Sequence, residues 1–201
     1  MKKVVIVDYG LGNLRSVSKA VEKTGGCVSI THDYEEIRAA EGIILPGVGA
    51  FKEGMSQLSD LSHTLIEAEG QVPILGICLG MQMMMEYSQE HGINKGLGLI
   101  PGTARRFCES PGYKIPHMGW NQITIINRDI PLFNGIPDGS FVYFVHSYWA
   151  DTQIENTLTT TDYICRFSSS IQNGTALGVQ FHPEKSGETG LKIMKNFLDM
   201  I

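Results

Sequence analysis

The stretch Gly76-Ile77-Cys78-Leu79-Gly80 constrains the fold of this chain more than any other. It ends an apolar run, residues 72–77, and opens a helical pattern over residues 79–89. A reactive side chain flanked by two glycines at a strand-to-helix junction is the G-x-nucleophile-x-G elbow, here with cysteine in place of serine. So tight a turn holds its central residue in a strained backbone conformation. Side chains two positions away would crowd it, and Gly76 and Gly80 remove them. The thiol then stands at the carboxyl edge of a sheet, where open α/β sheets place their ligands. A helix N-terminus there favours an anion, and thiolates at such places are stabilised. The Leu79 N–H would face a developing oxyanion. Taken alone, the turn leaves a second reading open, a buried structural cysteine, because free cysteine is among the most buried residue types.

The rest of the first half suits such a sheet. Short apolar runs at residues 2–8, 27–30, 42–45 and 72–77 read as strands. They alternate with helical patterns at 13–24, 51–70 and 79–89, which implies a parallel sheet covered on both faces. The second half changes character. Strand-like runs at 97–107, 119–126, 141–150, 156–161, 163–168 and 175–180 are separated by turn signals such as Asn134-Gly135 and Asn173-Gly174. These predict an antiparallel extension of the same sheet. A helix over 188–201, with Leu191, Met194, Leu198 and Ile201 on one side, closes the chain. The expected architecture is α/β: a mostly parallel central sheet flanked by helices, with an antiparallel extension, in one domain spanning residues 1–201. At 201 residues the chain is long enough to bury a core without disulfide staples.

Composition narrows the function classes. A net charge of −5 with no basic stripe argues against nucleic acid as a partner. The opening apolar run, Val4 to Val7, is shorter than the roughly seven to fifteen residues of a signal-peptide core, and no stretch reaches the ~18 apolar residues of a membrane span. A cytoplasmic protein is expected. None of Cys27, Cys78, Cys108 and Cys165 forms a C-x-x-C pair, so free thiols are expected and zinc is not. His32, His63 and His91 show no ligand spacing, and no metal or cofactor is called for. Gly10-Leu11-Gly12 fails the dinucleotide fingerprint because Arg15 stands at its third position. Met81, Met83, Met84 and Met85 read as core filler.

Two further segments could complete a site around Cys78. Pro46-Gly47-Val48-Gly49 follows the third strand, where elbow enzymes place their second oxyanion donor. Its glycines let the backbone approach a ligand and would allow a peptide flip that switches the donor on. An ordinary strand-to-helix turn is the plainer reading. Gly178-Val179-Gln180-Phe181-His182-Pro183-Glu184 ends the last strand. A thiol nucleophile needs a base, and the base an orienting group. His182 is the candidate base and Glu184 the candidate orienter, although a lone histidine at a strand end is more often structural.

Gly76-Ile77-Cys78-Leu79-Gly80-Met81-Gln82, the Pro-Gly loop and Phe181-His182-Pro183-Glu184 together resemble the class I (triad) glutamine amidotransferases, in that family's order along the chain. The resemblance implies a Cys78–His182–Glu184 triad, oxyanion N–H groups from Val48 and Leu79, and Gln82 and Gly49 lining the pocket for L-glutamine. Asp8-Tyr9-Gly10-Leu11-Gly12-Asn13-Leu14, Pro116-His117-Met118-Gly119-Trp120-Asn121, Phe144-Val145-His146-Ser147-Tyr148 and the continuation Lys185-Ser186 are similar to those members that work with a (β/α)8-barrel cyclase. Trp149 is a local variation outside the catalytic positions. The likeness covers essentially the whole chain. It implies a heterodimer with such a cyclase, with Trp120, Tyr143, His146 and Lys185 at the partner interface or the ammonia passage. Two alternatives stay open: another hydrolase with the same triad, such as a cysteine peptidase or the glutaminase subunit of a different amidotransferase, and a non-catalytic interaction module of the same fold.

Overall fold

A computed structural model describes residues 2–201. In chain order the elements are β1 (Lys3–Val7), α1 (Leu14–Lys23), β2 (Cys27–Thr31), α2 (Tyr34–Arg38), β3 (Gly42–Leu45), α3 (Phe51–Leu58), α4 (Ser62–Ala68), β4 (Ile74–Ile77) and α5 (Leu79–Met84). There follow β5 (Met85–Ser88), β6 (Asn94–Lys95), β7 (Ile100–Arg106), β8 (His117–Gln122), β9 (Thr124–Ile125), β10 (Phe141–His146), β11 (Tyr148–Asp151), β12 (Thr157–Asp162), β13 (Arg166–Asn173), β14 (Ala176–Val179) and α6 (Gly187–Asp199). No helix among the described residues is long and apolar enough to cross a membrane.

The main sheet runs β2-β1-β3-β4-β14-β13-β11-β7-β5-β6, with β12 and β9 branching from β13. Strands β2, β1, β3, β4 and β14 are parallel. From β14 onward the pairs β14–β13, β13–β11 and β11–β7 are antiparallel. This is the expected parallel half with its antiparallel extension. Period-two alternation in β1 shows why two layers of helix are needed: Val4 and Ile6 join the core under α1 and α6, while Val5 and Val7 join the core under α3 and α5. In α1, Val17, Ala20 and Val21 supply the buried stripe.

Three expectations about elements are corrected, and one element is new. The helix expected over 79–89 ends at Met84, and the chain continues as β5. The carbonyls of Met83, Met84 and Met85 accept from the N–H groups of Leu97, Leu99 and Gly98, so a distant loop replaces the next helical turn. Gly96 permits this approach, since a Cβ there would lie 2.1 Å from the Met85 carbonyl oxygen. The helix expected over 51–70 is split by a 3-10 turn, Ser59–Leu61, where the Ser62 hydroxyl bonds the Ser59 carbonyl at 2.5 Å. The strand expected over 141–150 breaks at Ser147: β10 pairs with β8 in a separate two-stranded ribbon, and β11 joins the main sheet. Helix α2 was not expected, though Asp33 carries its signal by accepting from the N–H groups of Glu35 and Glu36, both at 2.9 Å.

Candidate active site

Cys78 sits directly after β4 with φ 53° and ψ −107°, a left-handed conformation that non-glycine residues avoid. Such strain costs roughly 1–3 kcal/mol and persists only where the surroundings enforce it. The enforcement is visible. The Cys78 N–H donates to the Val179 carbonyl at 2.8 Å, continuing the β4–β14 pairing. A Cβ at Gly80 would lie 1.9 Å from the Leu45 carbonyl oxygen, and one at Gly76 would lie 2.7 Å from the Met81 nitrogen. Both glycines of the motif are therefore required by backbone contacts.

The register Val179↔Ile77 places the residues after β14 beside the residues after β4. Cys78 and His182, distant in sequence, meet for this reason. The His182 N–H donates to the Tyr143 carbonyl at 2.9 Å, which fixes the chain as it leaves the sheet. Pro183–Lys185 then form a 3-10 turn that returns Glu184 to the imidazole, with Nδ1 and Oε1 2.9 Å apart. Both side chains are all but sealed from solvent, at 2% and 0% exposure. Ser186 locks the turn, donating to the His182 carbonyl at 2.6 Å and accepting from the Tyr143 N–H at 3.0 Å.

Because Nδ1 is engaged by Glu184, Nε2 is the nitrogen left for chemistry, and it has no hydrogen-bond partner. Burial disfavours the imidazolium, but the nearby Cys78 sulfur and Glu184 outweigh it and push the His182 pKa up to about 9. Cys78 as a residue is 7% exposed, and its sulfur lies 3.8 Å from the Val145 carbonyl oxygen and 3.7 Å from Gln180 Nε2.

These groups open into one cavity of about 300 Å³, whose lining includes Val48, Gly49, Cys78, Leu79, Gln82 and His182. All six were expected from the sequence. Gln82 is 5% exposed; its Nε2 donates to the Tyr148 carbonyl at 3.0 Å and to Gln180 Oε1 at 3.1 Å. Val48 is 39% exposed and Gly49 has φ +101°.

Of the four residues assigned to the partner face or passage, three share an outer surface. Trp120 and Tyr143 are register partners across β8 and β10, with ring centroids 6.1 Å apart, and Lys185 Nζ lies 5.9 Å from the Tyr143 ring. Met118 and Phe141 extend this face, at 62% and 53% exposure. His146 parts from them: it is 5% exposed and lines the cavity. Its Nδ1 lies 2.8 Å from the Tyr148 carbonyl oxygen and its Nε2 lies 2.9 Å from His117 Nδ1. A carbonyl only accepts, so His146 carries its proton on Nδ1 and His117 donates to Nε2. Burial lowers both pKa values, to about 3 for His146 and about 4 for His117, so the pair is neutral.

Three residues of the site were missed in the sequence. Gln180 links Gln82 to the sulfur, Ser186 locks the turn, and Glu90 lines the cavity while its Oε2 accepts from the Phe51 N–H at 2.5 Å. Gln180 and Ser186 lie inside quoted motifs, where period-two alternation from His182 would have aimed Gln180 inward with it. Glu90 had no local signal, because it lay beyond a helix that ends early.

The family profile described as "Glutamine amidotransferase class-I" matches residues 5–201. A relative from Methanosarcina mazei, "Imidazole glycerol phosphate synthase subunit HisH", is 55% identical over all of both chains. The protein of the same description from Archaeoglobus fulgidus is 47% identical over 98% of each. A solved structure of PurLQS from Thermotoga maritima has a TM-score of 0.75 at 22% identity and covers 98% of each chain, a likeness of fold alone.

Proposed function

The chain belongs to the class-I glutamine amidotransferase family, and from that membership we propose how its residues act. It is the glutaminase subunit of an imidazole glycerol phosphate synthase, releasing ammonia from L-glutamine for histidine biosynthesis. Residues 1–201 act as one amidotransferase domain in the cytoplasm. The partner subunit in this reading is a (β/α)8-barrel cyclase that takes up the ammonia while holding a phosphoribulosyl substrate.

One observation carries the assignment of roles: a buried imidazole with Glu184 on Nδ1 and a free Nε2 opens into the same cavity as the Cys78 sulfur. In the proposed reaction the Cys78 thiol passes its proton to His182 Nε2, and the resulting thiolate attacks the side-chain carbonyl carbon of glutamine. The carbonyl oxygen becomes an oxyanion held by the N–H groups of Leu79 and Val48. The proton on His182 Nε2 passes to the amide nitrogen, the carbon–nitrogen bond breaks, and ammonia leaves a glutamyl thioester. Water then attacks the thioester as His182 Nε2 takes its proton, the carbon–sulfur bond breaks, glutamate departs and the Cys78 thiolate is restored. Gly49 and Gln82 line the substrate pocket, and the carboxylate of Glu90 suits the α-ammonium of glutamine.

Ammonia in open water would be protonated and lost, so the route to the cyclase must be sheltered. The Trp120–Tyr143–Lys185 surface, continuous through β10 with the Val145 and His146 wall of the cavity, is the proposed meeting face. Loop 46–49 is the proposed switch that turns a peptide N–H toward the oxyanion when the partner is loaded. Equal glutaminase rates for the free chain and the substrate-loaded complex would remove that switch.

The direct test is Cys78→Ala. Glutamine-driven turnover of the complex should disappear while turnover driven by added ammonia survives. Normal glutamine hydrolysis by this variant would refute the assignment.

A further inference from the structure

Tyr9 lies under the loop that carries the Val48 N–H, and the residue is 5% exposed. Its hydroxyl donates to the Pro46 carbonyl at 2.7 Å. Burial first, and the nearby Cys78 second, raise its pKa well above the usual tyrosine value, so the phenol keeps its proton and remains a donor.

The chain around this bond is gripped from several sides. A Cβ at Gly47 would lie 2.7 Å from the Gly80 nitrogen, 2.8 Å from the Tyr9 oxygen and 2.9 Å from the Leu79 Cβ. Gly47 is therefore packed closely against both the phenol and the nucleophile turn. A Cβ at Gly12 would come within 3.2 Å of the Pro46 ring. Two residues later the confinement ends. A Cβ at Gly49 would meet nothing within 4 Å, φ there is +101°, and Val48 is 39% exposed. The loop changes from clamped to open within three residues.

We propose that Tyr9 is a positioning residue for the reaction: its hydroxyl clamps the Pro46 carbonyl, so that the loop rearranges only beyond Gly47 and the Val48 N–H keeps its distance from the nucleophile turn. This rests on the oxyanion reading of Val48 given above. Tyr9 touches no substrate and acts through the loop. Its effect therefore falls on the transition state, where the oxyanion exists, and not on glutamine binding.

The test is Tyr9→Phe in the complete complex. The glutaminase kcat should fall about five- to tenfold, the scale of one hydrogen bond. KM for glutamine should stay within about twofold, and ammonia-driven turnover should be unchanged. An unchanged kcat, or a rise in KM without a fall in kcat, overturns the proposal. Cys78→Ala measured in parallel separates the two claims. If Cys78→Ala is inactive and Tyr9→Phe is normal, only the role of Tyr9 fails; if Cys78→Ala stays active, the catalytic reading fails. Should Tyr9→Phe not fold, backbone 15N relaxation of the unaltered complex decides. Exchange confined to Val48 and Gly49 upholds the clamp, and exchange that includes Gly47 overturns it.

Discussion

Cys78, Gly80 and Gly49 show how differently single residues can be constrained within one site. Cys78 holds a left-handed backbone because its N–H is fixed to Val179 and glycines stand two positions away on either side. At Gly80 the limit is space: a methyl group would lie 1.9 Å from a backbone oxygen that cannot move without disturbing β3. Gly80→Ala should therefore destabilise the fold by about 3 kcal/mol or more, the upper range of overpacking, measured as a lower urea midpoint. At Gly49 the limit is conformation: there is room, but φ is +101°. Gly49→Ala should fold with only about 1–2 kcal/mol lost while glutamine turnover falls strongly, because strain displaces the loop proposed to hold the oxyanion. Equal stability losses at the two positions would contradict this division. The elbow and its glycines were legible in the sequence because their spacing is local. Gln180 was less so, since its link to Gln82 spans two strands.

At the scale of elements, the ribbon of β8 and β10 carries a face that the chain itself leaves uncovered. The register pairs Tyr143 with Trp120 and Phe141 with Gln122, so Trp120, Tyr143 and Phe141 share that outer face. Trp120 is 55% exposed and packs on Tyr143. Trp120→Ala should change the stability of the free chain by no more than about 0.5 kcal/mol, as surface substitutions do. Partner affinity should fall by about thirtyfold, as expected of a buried aromatic anchor worth roughly 2 kcal/mol. Titration calorimetry with the proposed cyclase partner measures it, and unaltered affinity would move the proposed meeting face elsewhere. The element reading succeeded where pattern and pairing agree, as in β1, β3 and α1. It failed at residues 141–150, where one strand-like run serves two sheets. No local pattern marks that break, because both halves keep strand geometry and only their partners differ.

Across the whole molecule, protonation links the site to stability in two opposite senses. His117 and His146 have pKa values near 4 and 3 in the fold and 6.5 when unfolded. Below pH 6.5 the unfolded chain takes up protons that the fold refuses, so their contribution is present above 6.5 and is lost as pH falls toward 4. His182, raised to about 9, works the other way: its contribution is present below 6.5 and is lost as pH rises through 9. Urea midpoints should fall on both sides of neutrality. The acid limb should flatten in His117→Gln and the alkaline limb in His182→Asn; limbs of unchanged slope would disprove these origins. The sequence alone determined the alternating α/β layers, the strained cysteine turn and the identity of the three candidate triad groups, because each depends on neighbours a few residues away. The tertiary structure decided that β14 lies beside β4 in the Val179↔Ile77 register, that Glu90 and Gln180 line or brace the same cavity, and that His146 faces inward. Those outcomes depend on which strands pair and which carbonyls a distant loop captures, and such competition between long-range partners leaves no periodicity for a sequence to display.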